Sequence, residues 1–298
     1  MKRNKFYYLT HPSVGIPALL AKVSDRYAIE QMWKSHMDYP LNLDNPQTFN
    51  EKLQWLKLYD HNPLYTTLVD KYKVKEWVAQ KIGTQYVIPT LGIYQSVDEI
   101  DLDKLPDRFV LKCNHDSGSV QLCKDKNMFD FTKAKKSLEQ SLKKNFYYKF
   151  REWAYKDVKP LIIAEEYMMN GNKSSLTDYK FYCFNGIPKF LYVSYELANH
   201  DSAYVNYATL DWKQAPFHRP DFKEMKDLPS KPLNLDLMIV LSSKLSKDLP
   251  FVRVDLYEIN GEIYFSELTM YPGAGFTPFI PEEWDFKVGD FLTLPKRN

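Results

Sequence analysis

Residues 251–275 read FVRVDLYEINGEIYFSELTMYPGAG, and the fold turns on how this stretch pairs with itself. In 251–259 alternation puts Arg253, Asp255 and Tyr257 on one face of a strand and Val252, Val254 and Leu256 on the other. Asn260-Gly261 is a hairpin-turn signal, after which 262–269 returns with Ile263, Phe265, Glu267 and Thr269 on a common face. Register decides the chemistry. A two-residue Asn-Gly loop sets Asp255 opposite Ser266 and sends Glu267 through to the other side. A three-residue loop, Ile259-Asn260-Gly261 with Gly261 left-handed, adds a bulge at the turn and brings Asp255 and Glu267 onto one face. Two carboxylates facing across a hairpin repel unless a cation or a proton lies between them, and two hard oxygen donors with room for water and phosphate suit Mg2+. The alternative for the same residues is an exposed hairpin carrying unpaired charges.

The chain around this hairpin is long enough for a large core. Its 298 residues, 44% of them hydrophobic, predict a globular protein of one subdivided domain or two domains. The 40 basic and 38 acidic residues nearly cancel, so no general attraction for nucleic acid exists and any basic patch is local. Cys113, Cys123 and Cys183 are odd in number and lack C-x-x-C spacing; a reducing, cytoplasmic setting is expected rather than a disulfide framework or zinc site. Near the start, His11, Pro12, Gly15 and Pro17 interrupt the apolar run that a signal peptide needs. No run approaches the ~18 apolar residues of a membrane span, which confines expected membrane contact to the periphery.

Residues 1–45 read as short helices and loops. Thr48-Phe49-Asn50-Glu51 has capping-box spacing, and Phe49, Leu53, Leu56 and Tyr59 then suit a scaffold helix ending near Asp60. The next helix opens at Val69-Asp70-Lys71, carries Val74, Trp77, Val78 and Ile82 on one face, and stops at Gly83. Lys71 there opposes the helix dipole; either a bound anion offsets it or it is a surface lysine without a role. Strands are expected at 88–94 and 107–113, with a helical turn at 97–102 between them; the second strand delivers Lys112 to the loop 114–119, and 120–123 returns as its partner. A small polar loop of this kind closes its backbone N–H groups over phosphates, or is a plain turn. Residues 131–155 read as one long helical stretch or two, followed by a buried strand 161–164 that leads into Glu165-Glu166-Tyr167-Met168. A polar loop at 170–177 precedes a second Asn-Gly hairpin, 179–184 with 187–195, in which Asp178 and Lys180 share a face. Residues 199–220 read as irregular, 233–246 as a helix, and the tail after Pro278 as loops with a short terminal turn.

No Walker loop is present, Gly273-Ala274-Gly275 follows a proline rather than opening a helix, and the histidines are scattered. What remains is an order of motifs: D-K opening a helix, K at a strand end before a small-residue loop, E-E-Y-M after an apolar strand, then R-x-D with E-x-T-x-x-P-G across a hairpin. From about residue 66 to 275 this order resembles the ATP-grasp superfamily, including D-alanine:D-alanine ligases and biotin-carboxylase-type enzymes. The resemblance implies an α+β ATP-grasp fold, with two α+β subdomains gripping ATP. Its parts here are a helical N-terminal extension at 1–65, a small subdomain with the phosphate loop at 66–160 and a large subdomain with the metal site at 161–298. It also implies that Lys71 and Lys112 hold ATP phosphates under the loop of Asn114, His115, Asp116, Ser117, Gly118 and Ser119. Glu165, Glu166, Tyr167 and Met168 match the hinge strand that meets adenine, and Asp178, with Lys180 beside it, falls near the ribose carboxylate. Asp255 and Glu267 match the Mg2+ ligands, and Arg253 matches the arginine that meets substrate or acyl-phosphate. Thr269 departs from the pattern, since many relatives have Asn there and a hydroxyl is the weaker metal ligand.

A closer resemblance covers nearly the whole chain. LNLDNPQTFNEKLQWLKLYD, LVDKYKVKEWVAQKIG, LPDRFVLKCNHDSGS and ELTMYPGAGF are similar to the TupA-like ATP-grasp group, named for teichuronopeptide synthesis and associated with surface-polysaccharide biosynthesis. This implies an ATP- and Mg2+-dependent ligase joining a uronic-acid carboxylate of a capsule-type polysaccharide to an amino acid or other amine. Lys71, Lys112 and Arg253 would carry the catalysis. Alternatives are a sugar kinase using the same ATP site, a metal-dependent glycosyltransferase, and a non-catalytic carbohydrate-binding protein. The basic stretch 133–155, with Tyr204, Tyr207, Trp212, His218 and Arg219, is either a groove for an anionic saccharide or a solvated face over aromatic core.

Overall fold

The computed structural model describes residues 23–169, 176–195 and 204–297; most of the expected loop at 170–177 and the first 22 residues lie outside them. Strands β1 (Thr90–Tyr94), β2 (Phe109–Cys113), β3 (Gln121–Cys123) and β4 (Ile162–Glu166) form a smaller antiparallel sheet in the order β1-β4-β2-β3. Strands β5 (Asp178–Phe184), β6 (Ile187–Tyr195), β7 (Tyr204–Thr209), β8 (Phe251–Ile259) and β9 (Glu262–Thr269) form a larger one in the order β7-β6-β5-β8-β9. The helices are α1 (Asp25–His36), α2 (Phe49–Tyr59), α3 (Leu64–Val69), α4 (Lys73–Ile82), α5 (Phe131–Leu142), α6 (Tyr147–Phe150), α7 (Leu235–Ser246) and α8 (Glu283–Asp290). Among the described residues no helix is long and apolar enough to cross a membrane.

Both faces of the larger sheet are covered at its centre. Helix α7 packs on one face and buries Leu235, Met238, Leu241 and Leu245. On the other, Phe49 of α2 brings its ring against Tyr182, Phe184, Phe251 and Phe279. β5 is consequently buried along its whole length, as a strand covered on both sides must be.

The hairpin of β8 and β9 brings Asp255 opposite Glu267, but by a different device from the expected turn bulge. Asn260 and Gly261 form a two-residue turn with φ of 54° and 83°, and Ile259 pairs with Glu262. The bulge lies in mid-strand: Leu256 pairs with Phe265 whereas Asp255 pairs with Glu267, leaving Ser266 as the extra residue.

Two further expectations are corrected. The irregular segment 199–220 contains β7, whose alternation is obscured by Asn206. That side chain is buried because it bonds Gln214 and the backbone of Met225, on a segment that folds back over the strand. The stretch 131–155 holds two helices, α5 and α6, one of the two arrangements expected, and Arg151 at φ 56° ends α6. The tail forms α8 rather than a single turn. In addition, β4 lies between β1 and β2, so a boundary at 160/161 divides the smaller sheet in sequence.

Helix α2 carries the expected capping box, with Thr48 and Glu51 each bonding the other's backbone. It is more than scaffold. Gln54 donates to the carbonyls of Ala274 and Gly275, and Lys57 donates to the carbonyls of Ala274 and Phe150. These bonds hold Gly273, Ala274 and Gly275, all at positive φ, in the loop that follows β9. On its other side α2 meets α8, where Lys52 donates to the carbonyls of Gly289 and Leu292.

Gly289→Ala tests this packing. Alanine favours an open helical position by about 1 kcal/mol. Here its Cβ would collide with the carbonyl of Gln47 and press on the backbone of Thr48 and Phe49 at 3.0 Å. Overpacking costs about 1–3 kcal/mol, so the urea midpoint should fall; an unchanged or higher midpoint would mean that α2 and α8 part freely.

Candidate active site

Asp255 is 0% exposed and lies at the centre of a charged cluster on the larger sheet. Arg253 donates through Nε to Oδ1 at 2.7 Å and through Nη2 to Oδ2 at 2.6 Å. Lys180, the cross-strand partner of Asp255, donates to Oδ2 at 2.5 Å. Arg253 Nη2 also donates to Thr269 Oγ1 at 2.9 Å and reaches Glu267 Oε1 at 3.4 Å, while Lys180 pairs with Asp178 at 3.0 Å. Burial disfavours both cations, but Asp255 and its neighbours reverse this and hold Lys180 and Arg253 protonated well above their usual ranges. Burial also raises Asp178, against the pull of Lys180.

Glu267 is different, for its side chain is 33% exposed and Lys71 Nζ stands 3.8 Å from Oε2. Burial would raise its carboxyl, but Lys71, Lys180 and Arg253 overrule this and pull it down to about 2. Glu267 is therefore an anion at any physiological pH. Lys112 contributes to the same shift from the smaller sheet, so lysines of two separate elements act on one carboxylate.

On the smaller sheet, Lys112, Ile163 and Ile93 lie in one cross-strand row, with Leu122, Val110, Glu165 and Thr90 in the adjoining row of the same face. Ile93 and Leu122 remain exposed, giving an apolar strip beside charged groups. Buried Glu165 bridges Lys112 at 2.5 Å and Lys75 of α4 at 2.6 Å. Lys75 is further held by the carbonyl of Ile88 at 2.9 Å and Thr90 Oγ1 at 2.8 Å. Burial would raise Glu165, but the two lysines keep it below its usual range. Glu166 is exposed, and Tyr167 and Met168 are half-buried as the chain leaves β4.

Lys71 joins the two regions. Its backbone N–H donates to the Asn114 carbonyl at 3.0 Å and its ammonium to the Asp116 carbonyl at 2.6 Å. Several side chains of the 114–119 loop serve the loop itself. Asn114 bonds the backbone of Lys159 and Leu161, and His115 Nε2 donates to the carbonyls of Ser141 and Lys144. Ser119 donates to Asp116 and accepts from the Cys113 N–H. Ser117 and Gly118 alone of the six are exposed, with Gly118 at φ 102°.

The aromatic groove is not assembled. Tyr207 is 2% exposed and packs among Tyr182, Phe190, Phe217 and Phe279. Arg219 is buried against Asp221, and the Trp212 indole donates to the Pro229 carbonyl. Tyr204 stays exposed and His218 half-buried, and the lysines at 133, 136, 143, 144 and 149 form a solvated face. Sequence reasoning missed Lys75, although it lies one helical turn beyond Lys71. It also missed Tyr192, whose ring lies beneath Arg253 and Lys180 at 5.4 and 6.0 Å.

A family model described as TupA-like ATPgrasp matches residues 51–293. No curated protein matches the chain. Among solved structures, the D-alanine–D-alanine ligase from Helicobacter pylori aligns at a TM-score of 0.43 and 16% identity, covering 78% of this chain and 60% of that one. The Bacillus anthracis D-alanine–D-alanine ligase complexed with ATP aligns at 0.39 and 14%, covering 68% and 54%. D-cycloserine synthetase DcsG aligns at 0.39 and 20%, covering 70% and 64%. The chain thus spans between about half and two thirds of the length of these proteins.

The two carboxylates should respond differently to neutralisation. Asp255→Asn leaves two buried cations without their shared anion and should destabilise the protein by about 3–5 kcal/mol. Glu267→Gln, at a partly open position where solvent screens its cations, should cost less, about 1–2 kcal/mol. Urea unfolding of the two variants checks this; equal costs would show that Arg253 and Lys180 find other partners.

Proposed function

Because the chain belongs to the TupA-like ATP-grasp family, we propose that it is an ATP-dependent carboxylate–amine ligase. In this reading it joins a uronic-acid carboxylate of a surface polysaccharide, or of its precursor, to an amino acid or other amine through an acyl-phosphate. A carboxylate oxygen is too poor a leaving group for an amine to displace, and phosphorylation supplies a better one. The step brings two anions together, so it needs fixed positive charge where the phosphoryl group passes. The observation that carries the proposal is the gathering of Lys71, Lys180 and Arg253 around Asp255 and Glu267, with Lys112 within electrostatic reach from the facing sheet.

Lys71 and Lys112 hold the phosphates in this reading, and the exposed N–H groups of Ser117 and Gly118 close over them. The apolar strip of Ile93 and Leu122 suits a purine face, with the 165–168 backbone at its edge and Asp178 toward the ribose. Arg253 meets the acyl-phosphate. The parts divide as a helical extension at 1–65, a small subdomain at 66–160 and a large one at 161–298, with β4 passed to the smaller sheet. ATP use assigns the reaction to the cytoplasm.

The donor set fits Mg2+. Among the described residues no group of three or more His, Cys, Asp or Glu is gathered for a metal, but magnesium takes one or two carboxylates and completes its shell with phosphate and water. Glu267 is partly open, whereas Asp255 is wholly buried and would take the ion in exchange for a bond from Arg253 or Lys180. Bound there, the ion would offset charge on the transferring phosphoryl group. The Thr269 hydroxyl already accepts from Arg253, which leaves it the weakest of the three proposed ligands.

Incubation with ATP, Mg2+ and panels of uronic acids and amino acids, read by ADP release and product mass, tests the proposal. Turnover should require a uronate and an amine together, yield their condensation product, stop with a chelator, and fall by about 100-fold or more in Glu267→Gln. A phosphorylated sugar formed without an amine would identify a kinase instead, and consumption of a nucleotide sugar without ATP a glycosyltransferase.

A further inference from the structure

In the ligase reading Lys112 meets an ATP phosphate, yet the group bonded to its ammonium is an anion. Glu165 is 4% exposed, and its Oε2 lies 2.5 Å from Lys112 Nζ. Burial would neutralise this carboxyl, but Lys112 and Lys75 hold it ionised. A fixed anion at this distance fastens Lys112 before a ligand arrives, which removes rotamer freedom that binding would otherwise have to freeze. The same anion repels a polyphosphate and cancels the charge that Lys112 would offer it.

Lys75 resolves the conflict. It stands in the first turn of α4, where the helix dipole disfavours a cation. Its ammonium lies 2.6 Å from Glu165 Oε1, while Lys112 takes Oε2. The Ile88 carbonyl at 2.9 Å and Thr90 Oγ1 at 2.8 Å take its other hydrogens and tie it to the start of β1. Lys75 therefore has no hydrogen left for a ligand, whereas the Lys112 ammonium is bonded to Glu165 alone among the described residues and its side chain stays partly open. Two ammonium groups on one carboxylate leave the trio with a net positive charge, which a pair of Glu165 and Lys112 would lack.

Resting on the ligase reading, we propose that Lys75 is a positioning residue for the nucleotide phosphates. It carries the Glu165 charge, so the Lys112 ammonium turns to a phosphate oxygen without leaving a buried anion unpaired behind it. Glu165 thus holds Lys112 in place before binding, and Lys75 holds Glu165 in place after it. Lys71, one helical turn earlier, serves the other end of the same site, for its ammonium donates to the Asp116 carbonyl at 2.6 Å. The start of α4 fastens the 114–119 loop through Lys71 and Lys112 through Lys75 and Glu165.

Equilibrium dialysis of adenosine, ADP and ATP, with Mg2+ and without acceptor substrates, tests this. Lys75→Gln keeps a hydrogen-bond donor and drops the charge; it should weaken ATP binding by about 10-fold or more, weaken ADP less, and leave adenosine as it was. Lys75→Arg should restore most of the ATP affinity. When Lys75→Gln is combined with Glu165→Gln, the anion that needed compensation is gone, and ATP affinity should recover toward that of the wild type. Each comparison with adenosine is made within one variant, so a general loss of stability does not imitate the pattern, and Lys75→Met replaces Lys75→Gln if the latter does not fold. Equal losses for adenosine and ATP, an unchanged ATP affinity, or no recovery in the double variant overturn the assignment. A wild type that binds no ATP overturns the ligase reading instead.

Discussion

One buried carboxylate organises this molecule. Asp255 is out of water altogether, and Arg253 and Lys180 are nearly so. Desolvating charges is expensive, and the arrangement holds only because both cations share one anion at short range with further bonds to Thr269 and Asp178. Such a cluster tolerates little error in strand register. A slip of one residue in β5 against β8 would leave Lys180 on the wrong face, and loss of the Ser266 bulge would alter how Glu267 approaches its neighbours. The electrostatics of the site and the topology of the larger sheet therefore specify each other.

The helical segment ahead of the two sheets takes part in this specification. Two polar side chains of α2, Gln54 and Lys57, hold a backbone loop that would otherwise carry three consecutive left-handed residues without support. Lys57 is fully buried, and burial lowers its affinity for a proton. Its three carbonyl and amide oxygen partners compensate for lost water. An apolar helix of the same shape would fill the space but would not fix the loop.

The local elements were legible because their signals are local. The capping box at Thr48 and Glu51, the Gly83 stop and both Asn-Gly turns are each decided within a few residues, and each stands where expected. The pairing of Asp255 with Glu267 was legible as a chemical demand, whereas the position of the bulge was not, since nothing around Ser266 marks it in the sequence. β7 was hidden by Asn206, whose polarity is explained by Gln214 and Met225, 8 and 19 positions further along the chain. Lys75 and Tyr192 matter through what surrounds them: Glu165 and Arg253 lie 90 and 61 positions distant in the numbering. A periodicity argument has no access to such pairs. The same limit explains the aromatic groove, for tyrosines that suit a sugar also suit a core, and Tyr207 went to the core.

The central position of β4 bears on the order in which the protein assembles. β2 and β3 form a local hairpin, but β1 has no sheet partner until β4 inserts between it and β2. Pairings of such sequence separation carry a loop-closure cost and form late. Glu165 arrives with that strand, so Lys75 and Lys112 gain their common anion only when the smaller sheet closes. Until then the inner edges of β1 and β2 are open to pairing with other chains. Any ligand that engages Lys112 only in the closed arrangement would stabilise it by mass action. Ligand supply during synthesis would thus influence the yield of mature protein as well as the rate at which that protein works.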